Sequence, residues 1–367
     1  MKTTFVLFMH KVSFLNKERP FKNLLDEKVK SYFAENDIKD KGNWKLFHKT
    51  IVLFVLLIVC YVLILTVFKN SWWAIALFSA LAFIKSSIGF NVMHDAAHGS
   101  YSKNKGLNNA LSFFGGDLLG ISTFFWKIKH NIIHHTYTNI DGIDDDIAKY
   151  PYYRFSPEQK PLWFHKYQHI YGIPLYGLLS INWIIADDYM KLFKKQIHTT
   201  PITTIKNKDR FTFFFGKLLN LSIFLFIPLM VMPWSIAIVS YITMHIVLGI
   251  TIALVFQMAH VVEHVDFPMP NEVTNKIENE WMIHQIDTTA NFAMNNKFIS
   301  WFVGGLNYQV EHHLYPRISH IHYPKISEFV QQTCKELGVE YNAFPTFWKA
   351  FVSHMKFLKY LGTAPAS

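Results

Sequence analysis

GGLNYQVEHHLYP, residues 304–316, is the stretch whose reading decides the rest of the chain, and its working part is Gln309, His312 and His313. On a helix, side chains at i, i+3 and i+4 are neighbours, so an amide and imidazoles at this spacing share one face. That is metal-ligand geometry, although one adjacent histidine pair carries little weight alone. Two earlier clusters repeat the theme: His94 and His98 in HDAAH, then His130, His134 and His135 in HNIIHH. These seven histidines exceed the four ligands of a closed structural zinc site and suit two metal ions with open positions. Imidazole serves Zn, Cu, Fe and Ni alike, so ligand type does not name the metal.

The surroundings of the clusters are apolar. The 367 residues are 51% hydrophobic and 17% aromatic, with mean hydropathy +0.14, which excludes a routine soluble enzyme. Spans are expected at 51–68, 72–93, 211–232 and 234–257, each long enough to cross the hydrocarbon layer. They form two hairpins, turned at 69–71 and at Pro233, which return His94, His98, His260 and His264 to the side where the chain begins. The apolar stretches 107–126 and 171–186 contain or run into Asn108, Asn109, Asp117, Asp187 and Asp188, and are expected to lie in the membrane interface. The expected fold is an all-α membrane protein of four transmembrane helices in two hairpins, with interfacial helices and a histidine-rich cytoplasmic cap. Its expected parts are a basic cytoplasmic N-terminal segment 1–46, a membrane-embedded domain 47–330 and a cytoplasmic C-terminal tail 331–367, disordered from 363.

Charge sets the orientation. The chain carries 36 Lys+Arg against 26 Asp+Glu, a net charge of +10. Of the Lys and Arg residues, 11 precede the first span, 14 lie in 94–210 and 8 follow 257, so 33 of 36 fall on the side of the histidines. By the positive-inside rule that side is cytoplasmic, and the excess charge reads as membrane-facing, with no nucleic acid partner. Lys217 is expected to snorkel out of its span, and Lys85 to snorkel or pair within the bundle. Cys60 lies in an apolar run and Cys334 in a polar one, which excludes a disulfide framework. The apolar run 5–9 is too short for a signal peptide, so the N-terminus is expected to be retained.

The H-x-x-x-H, H-x-x-x-H-H and Q-x-x-H-H boxes on two membrane hairpins resemble those of the membrane-bound fatty acid desaturase family, over about residues 47–330. The resemblance implies a non-haem centre of two iron ions, O2 as co-substrate, and removal of two hydrogens from a fatty acyl-CoA or acyl-lipid chain. The ligands it implies are His94, His98, His130, His134, His135, Gln309, His312 and His313. A further one lies just past the last span, His260 in QMAH, with His264 one turn later as the alternative. No catalytic side chain beyond the ligands is singled out. Gln309 at the head of the third box is similar to the front-end, linoleoyl-CoA desaturase-like branch. That branch usually carries a fused cytochrome b5 marked by HPGG, which does not occur here, so electrons are expected from a separate ferredoxin, cytochrome b5 or reductase. The basic face suits docking of an acidic carrier. A bacterial cytoplasmic membrane is the expected location.

The chemistry agrees with iron, because a saturated C–H bond resists acid, base and nucleophile, and zinc cannot change redox state. Asn91, Asp95, Asn307 and Glu311 adjoin ligands and are expected to orient them. Asp141, Asp144, Asp145 and Asp146, like His320 and His322, read as solvated loop residues; His165 and His169 read as surface, and His245 lies too deep in its span to join the cluster. Two other functions compete. A di-iron hydroxylase or monooxygenase shares such boxes, whereas a histidine-rich metal transporter needs ligands inside the spans.

Overall fold

The computed structural model describes residues 12–15 and 19–366; the apolar run 5–9 and Ser367 lie outside them. Helices form nearly all of the regular structure. Among the described residues, strands occur as three two-residue pairs: Ser13–Phe14 parallel to Lys276–Ile277, Gln196–Ile197 antiparallel to Thr200–Pro201, and Asn291–Phe292 parallel to Ala343–Phe344.

Among the described residues, four helices are long and apolar enough to cross a membrane: Trp44–Thr66, Trp73–His98, Asn207–Val231 and Trp234–His260. The all-α membrane architecture expected from hydropathy is the one observed. Each helix reaches beyond its expected span where polar residues continue the same helix. Asn43, whose side chain accepts the Lys45 N–H at 2.9 Å, caps the first, and the second and fourth run on into His98 and His260. Lys105–Leu119 is a separate helix, and His165–Tyr176 with Leu179–Lys194 makes a pair bent by 65°.

The second and fourth spans pack along their length, with Phe78, Leu81, Met244 and Leu248 meeting Leu53 and Leu57 of the first. The first span turns Ile51, Val55, Ile58, Val59 and Val62 outward. Such a stripe belongs against lipid, where the helix satisfies its own backbone. Trp72, Trp73 and Trp234 are exposed at the hairpin turns and Trp44 at the opposite end, the placement of interfacial aromatic belts.

Several polar residues sit deeper than expected. Lys85 is fully buried, its Nζ 3.7 Å above the Phe224 ring centroid and 3.9 Å from Met244 Sδ. Lys217 does not snorkel either; it is buried and paired with Asp188 at 2.6 Å, because bent backbone beside it supplies polar partners at that depth. His165 is buried instead of exposed and donates to Pro151 O at 2.7 Å. His245 stays away from the histidine boxes and bonds Ser180 Oγ at 2.9 Å. The C-terminal end is ordered through Ala366: helix Phe347–Thr363 closes the chain, and the buried Arg154 guanidinium donates to the carbonyls of Leu361, Ala364 and Pro365.

Candidate metal centre

Two π-turns shape the first two boxes. The second span leaves α-helical bonding at Gly89–Met93 and resumes as His94–His98, and a π-stretch, Lys127–His134, carries the next box. Such turns recur at functional sites. The i→i+5 bond from His135 N–H to His130 O, 3.1 Å, brings residues five apart into register. His130 and His135 therefore face each other with Nε2 atoms 3.2 Å apart, where an α-helix would splay them. The third box is the short helix Gln309–Leu314, introduced by Gly304 and Gly305 in the left-handed region at φ 61° and 70°. A Cβ on Gly304 would stand 2.6 Å from Phe90 O, so only glycine lets this loop press against the second span.

The three boxes and the end of the fourth span meet. Ligating nitrogens of His94, His98, His130 and His312 lie within 4.8 Å of one another, and those of His134, His260 and His313 form a second such set. His135 stands between the sets, its ring centroid 4.6 Å from that of His312 and 4.4 Å from that of His313. All these rings are buried except that of His98, which is half-buried. Burial, reinforced by neighbouring imidazoles, holds His130, His135, His312 and His313 well below the ordinary histidine value, so they stay neutral and able to donate a lone pair. For His134 burial also pulls down, but the carboxylates of Asp144 and Asp146 outweigh it and leave the pKa raised.

The outer edges of the rings are held by oxygen. Asp144 Oδ2 accepts from His134 Nδ1 at 3.0 Å, Thr288 O from His260 Nδ1 at 3.3 Å, and Gln285 Oε1 from His313 Nδ1 at 2.8 Å. His312 Nδ1 lies 3.2 Å from the Tyr323 hydroxyl. A proton fixed on Nδ1 leaves Nε2 bare and turned inward. Among the described residues, Nε2 of His98, His134, His260, His312 and His313 has no protein partner, and neither has either amide atom of the buried Gln309. Buried polar atoms are rarely left so, and here the imidazole nitrogens converge in two sets. The donor set fits two metal ions.

The fatty acid desaturase family model matches residues 70–345. The chain belongs to that family. It is 36% identical to the sn-1 linoleoyl-lipid 6-desaturase of Synechocystis sp., over 98% of this chain and 100% of the relative. It is also 36% identical to the enzyme of the same name from Arthrospira platensis, over 97% and 96%. The acyl-lipid (8-3)-desaturase of Physcomitrium patens is 35% identical over 92% of this chain and 71% of its own length. The chain is thus an oxidoreductase that desaturates fatty acyl chains.

In this desaturase His260 joins the cluster, whereas His264, in the left-handed region at φ 74°, is exposed and uses its carbonyl to accept from Asn342. The four expected orienting residues bond elsewhere. Asn91 accepts from Lys49 at 2.6 Å, Asp95 accepts from Ser319 at 2.9 Å and pairs with His320 at 3.0 Å, Asn307 donates to Ser300, and Glu311 binds Asn291 and Tyr341. These four therefore bond partners outside the two histidine sets. The orienting oxygens come from Asp144, Gln285 and Thr288, which sequence reading missed. Asp144 is fully buried and not solvated as expected, because the turn at Asn139, φ 56°, folds the acidic run back under His134, and Asp144 accepts the Asn139 N–H at 3.0 Å. His320 is likewise buried. Its nearness to box two was the one available signal for Asp144; Gln285 and Thr288 left none.

Two cavities flank the histidines of the desaturase. A narrow apolar one touches His94 and is lined by Gly89, Met93, Leu119, Ile121, Trp183 and Phe256 among others. On the other side an open, polar one of about 360 Å³ reaches His98 and His135 between Trp281 and Arg317.

Proposed function

We propose that this enzyme introduces a cis double bond into an acyl chain of a membrane lipid, consuming O2 and two electrons at a centre of two iron ions. The proposed ligands are His94, His98, His130, His134, His135, His260, Gln309, His312 and His313. The observation that carries the reading is the convergence of bare Nε2 atoms beside a narrow apolar cavity. Bound there, iron supplies the oxidant that an unactivated C–H bond requires. The names of the relatives support a lipid-linked substrate, and the 6-position of a linoleoyl chain is the first to test.

The protein's own part is placement. Asp144, Thr288 and Gln285 keep protons on Nδ1 and so fix the rings that hold the metal. Met93, Leu119, Ile121 and Trp183 keep water from the acyl chain. An acyl chain has no polar handle, so its depth in this cavity selects the carbons that react. Overall, the chain gives up two hydrogens, a separate ferredoxin, cytochrome b5 or reductase gives two electrons with two protons from solvent, and O2 leaves as two waters. The polar cavity beside His98, with Arg317 at its rim, is the side from which O2 and electrons arrive. The charge asymmetry supports a cytoplasmic position for that side, and the proposed location is a bacterial cytoplasmic membrane.

Mass spectrometry of lipids from cells expressing the protein with C18 substrates and a candidate donor tests the reading. A product two mass units lighter, absent with His312→Ala, is expected, and derivatised fragments locate the bond. A product sixteen units heavier would make the enzyme a hydroxylase. If no product forms, purified protein without iron refutes the di-iron centre.

A further inference from the structure

The wall of the narrow cavity is not held by apolar packing alone. Ile121 and Trp183 both line it beside His94, and both sit in irregular backbone: Ile121 follows Gly120, in the left-handed region at φ 84°, and Trp183 opens the π-turn Trp183–Asp187. Backbone of that kind leaves groups unbonded, which is costly in a membrane bundle unless protein partners satisfy them. One buried ion pair does so. Lys217 Nζ, on the third span, donates to Gly120 O at 2.7 Å, to Trp183 O at 2.7 Å and to Asp188 Oδ2 at 2.6 Å. Asp188 Oδ2 in turn accepts the Ser122 N–H at 2.7 Å. The pair therefore grips the residues on both sides of Ile121 and the carbonyl of Trp183 itself. Neither side chain is more than 5% exposed, so the bonds are charge-assisted and shielded from water. Packing at Gly120 is close, since a Cβ there would stand 2.7 Å from Ile184.

We propose that the Lys217–Asp188 ion pair is the depth gauge of the acyl cavity: it fixes Ile121 and Trp183, and thereby which carbon pair of the chain stops beside the histidines. The inference rests on the desaturase reading above and makes Lys217 and Asp188 positioning residues that never touch the substrate. Neighbouring methylenes are chemically alike, so a shift of the wall by one carbon changes the product without changing the chemistry.

The test is the full-length protein in cells supplied with C18 substrates, with double-bond position read from derivatised lipids and iron measured on the purified protein. Lys217→Met is expected to retain iron and raise the share of displaced double-bond isomers by about tenfold. Ile121→Ala, which leaves the ion pair in place, is expected to displace the bond in the same way. A Lys217→Met enzyme that holds iron and makes only the wild-type isomer at a lower rate overturns the proposal and leaves the pair a structural brace. If Lys217→Met does not accumulate, Ile121→Ala decides, and an unchanged isomer pattern overturns it. A wild-type chain that makes no product two mass units lighter fails earlier, refuting the desaturase reading, and the gauge falls with it.

Discussion

His134, His260 and His313 each give the Nδ1 proton to a particular oxygen, whereas among the described residues only His312, of the set His94, His98, His130 and His312, has an Nδ1 partner. The first group is buttressed from outside. The second is organised mainly by contacts among its own rings, such as the 3.1 Å approach of His94 Nε2 to His130 Nε2, and through His98 it borders the open cavity. The difference teaches that one set takes its ring orientation from protein oxygens, while the other has such support only at His312. If both sets hold metal as proposed, their grip should be unequal.

The largest expected effect comes from removing a ligand. His312→Ala should abolish desaturation while membrane insertion persists, and iron per protein should fall to about one; an active variant holding two would refute the assignment of its set. Next comes the buttress. Asp144→Asn should weaken metal binding by the His134 set about 10–100-fold, read by competition with a chromophoric chelator, and an unchanged affinity would erase the contrast between the sets. Chelation of the wild type should release metal in two phases about tenfold apart in rate, the fast one lost with His312→Ala; one phase would mean equal grip. Smallest is Tyr323→Phe, whose loss of one hydrogen bond of about 1 kcal/mol should change activity only a few-fold. A large loss would show that the His312 set also depends on an outer partner.

Much of this was legible in the chain itself. The four spans and the three boxes are local patterns, carried by runs of apolar residues and by i, i+4 spacing, and the structure puts them where those patterns indicate. What was not legible depends on folding at a distance. The reach of His135 to His130 needs the i→i+5 bond of a π-turn, which α-helical spacing does not anticipate. Gln285 stands 28 residues from His313 and meets it only through the tertiary fold. Lys217 looked like a cation escaping to the interface because nothing in its own span shows that Gly120 and Trp183 offer it carbonyls. Asn91 and Glu311 misled for the converse reason, since proximity in sequence is not proximity of side chains on a helix.

The oxygen-held rings also bear on how the enzyme is made. Asp144, Thr288 and Gln285 bond their histidines through Nδ1, so these contacts form between protein atoms alone and leave Nε2 for a metal. The cavity of about 360 Å³ beside His98 and His135 has room for several waters at that face of the cluster. If two irons sit there as proposed, inactive protein from iron-starved cells should gain activity when iron is added, with no new synthesis.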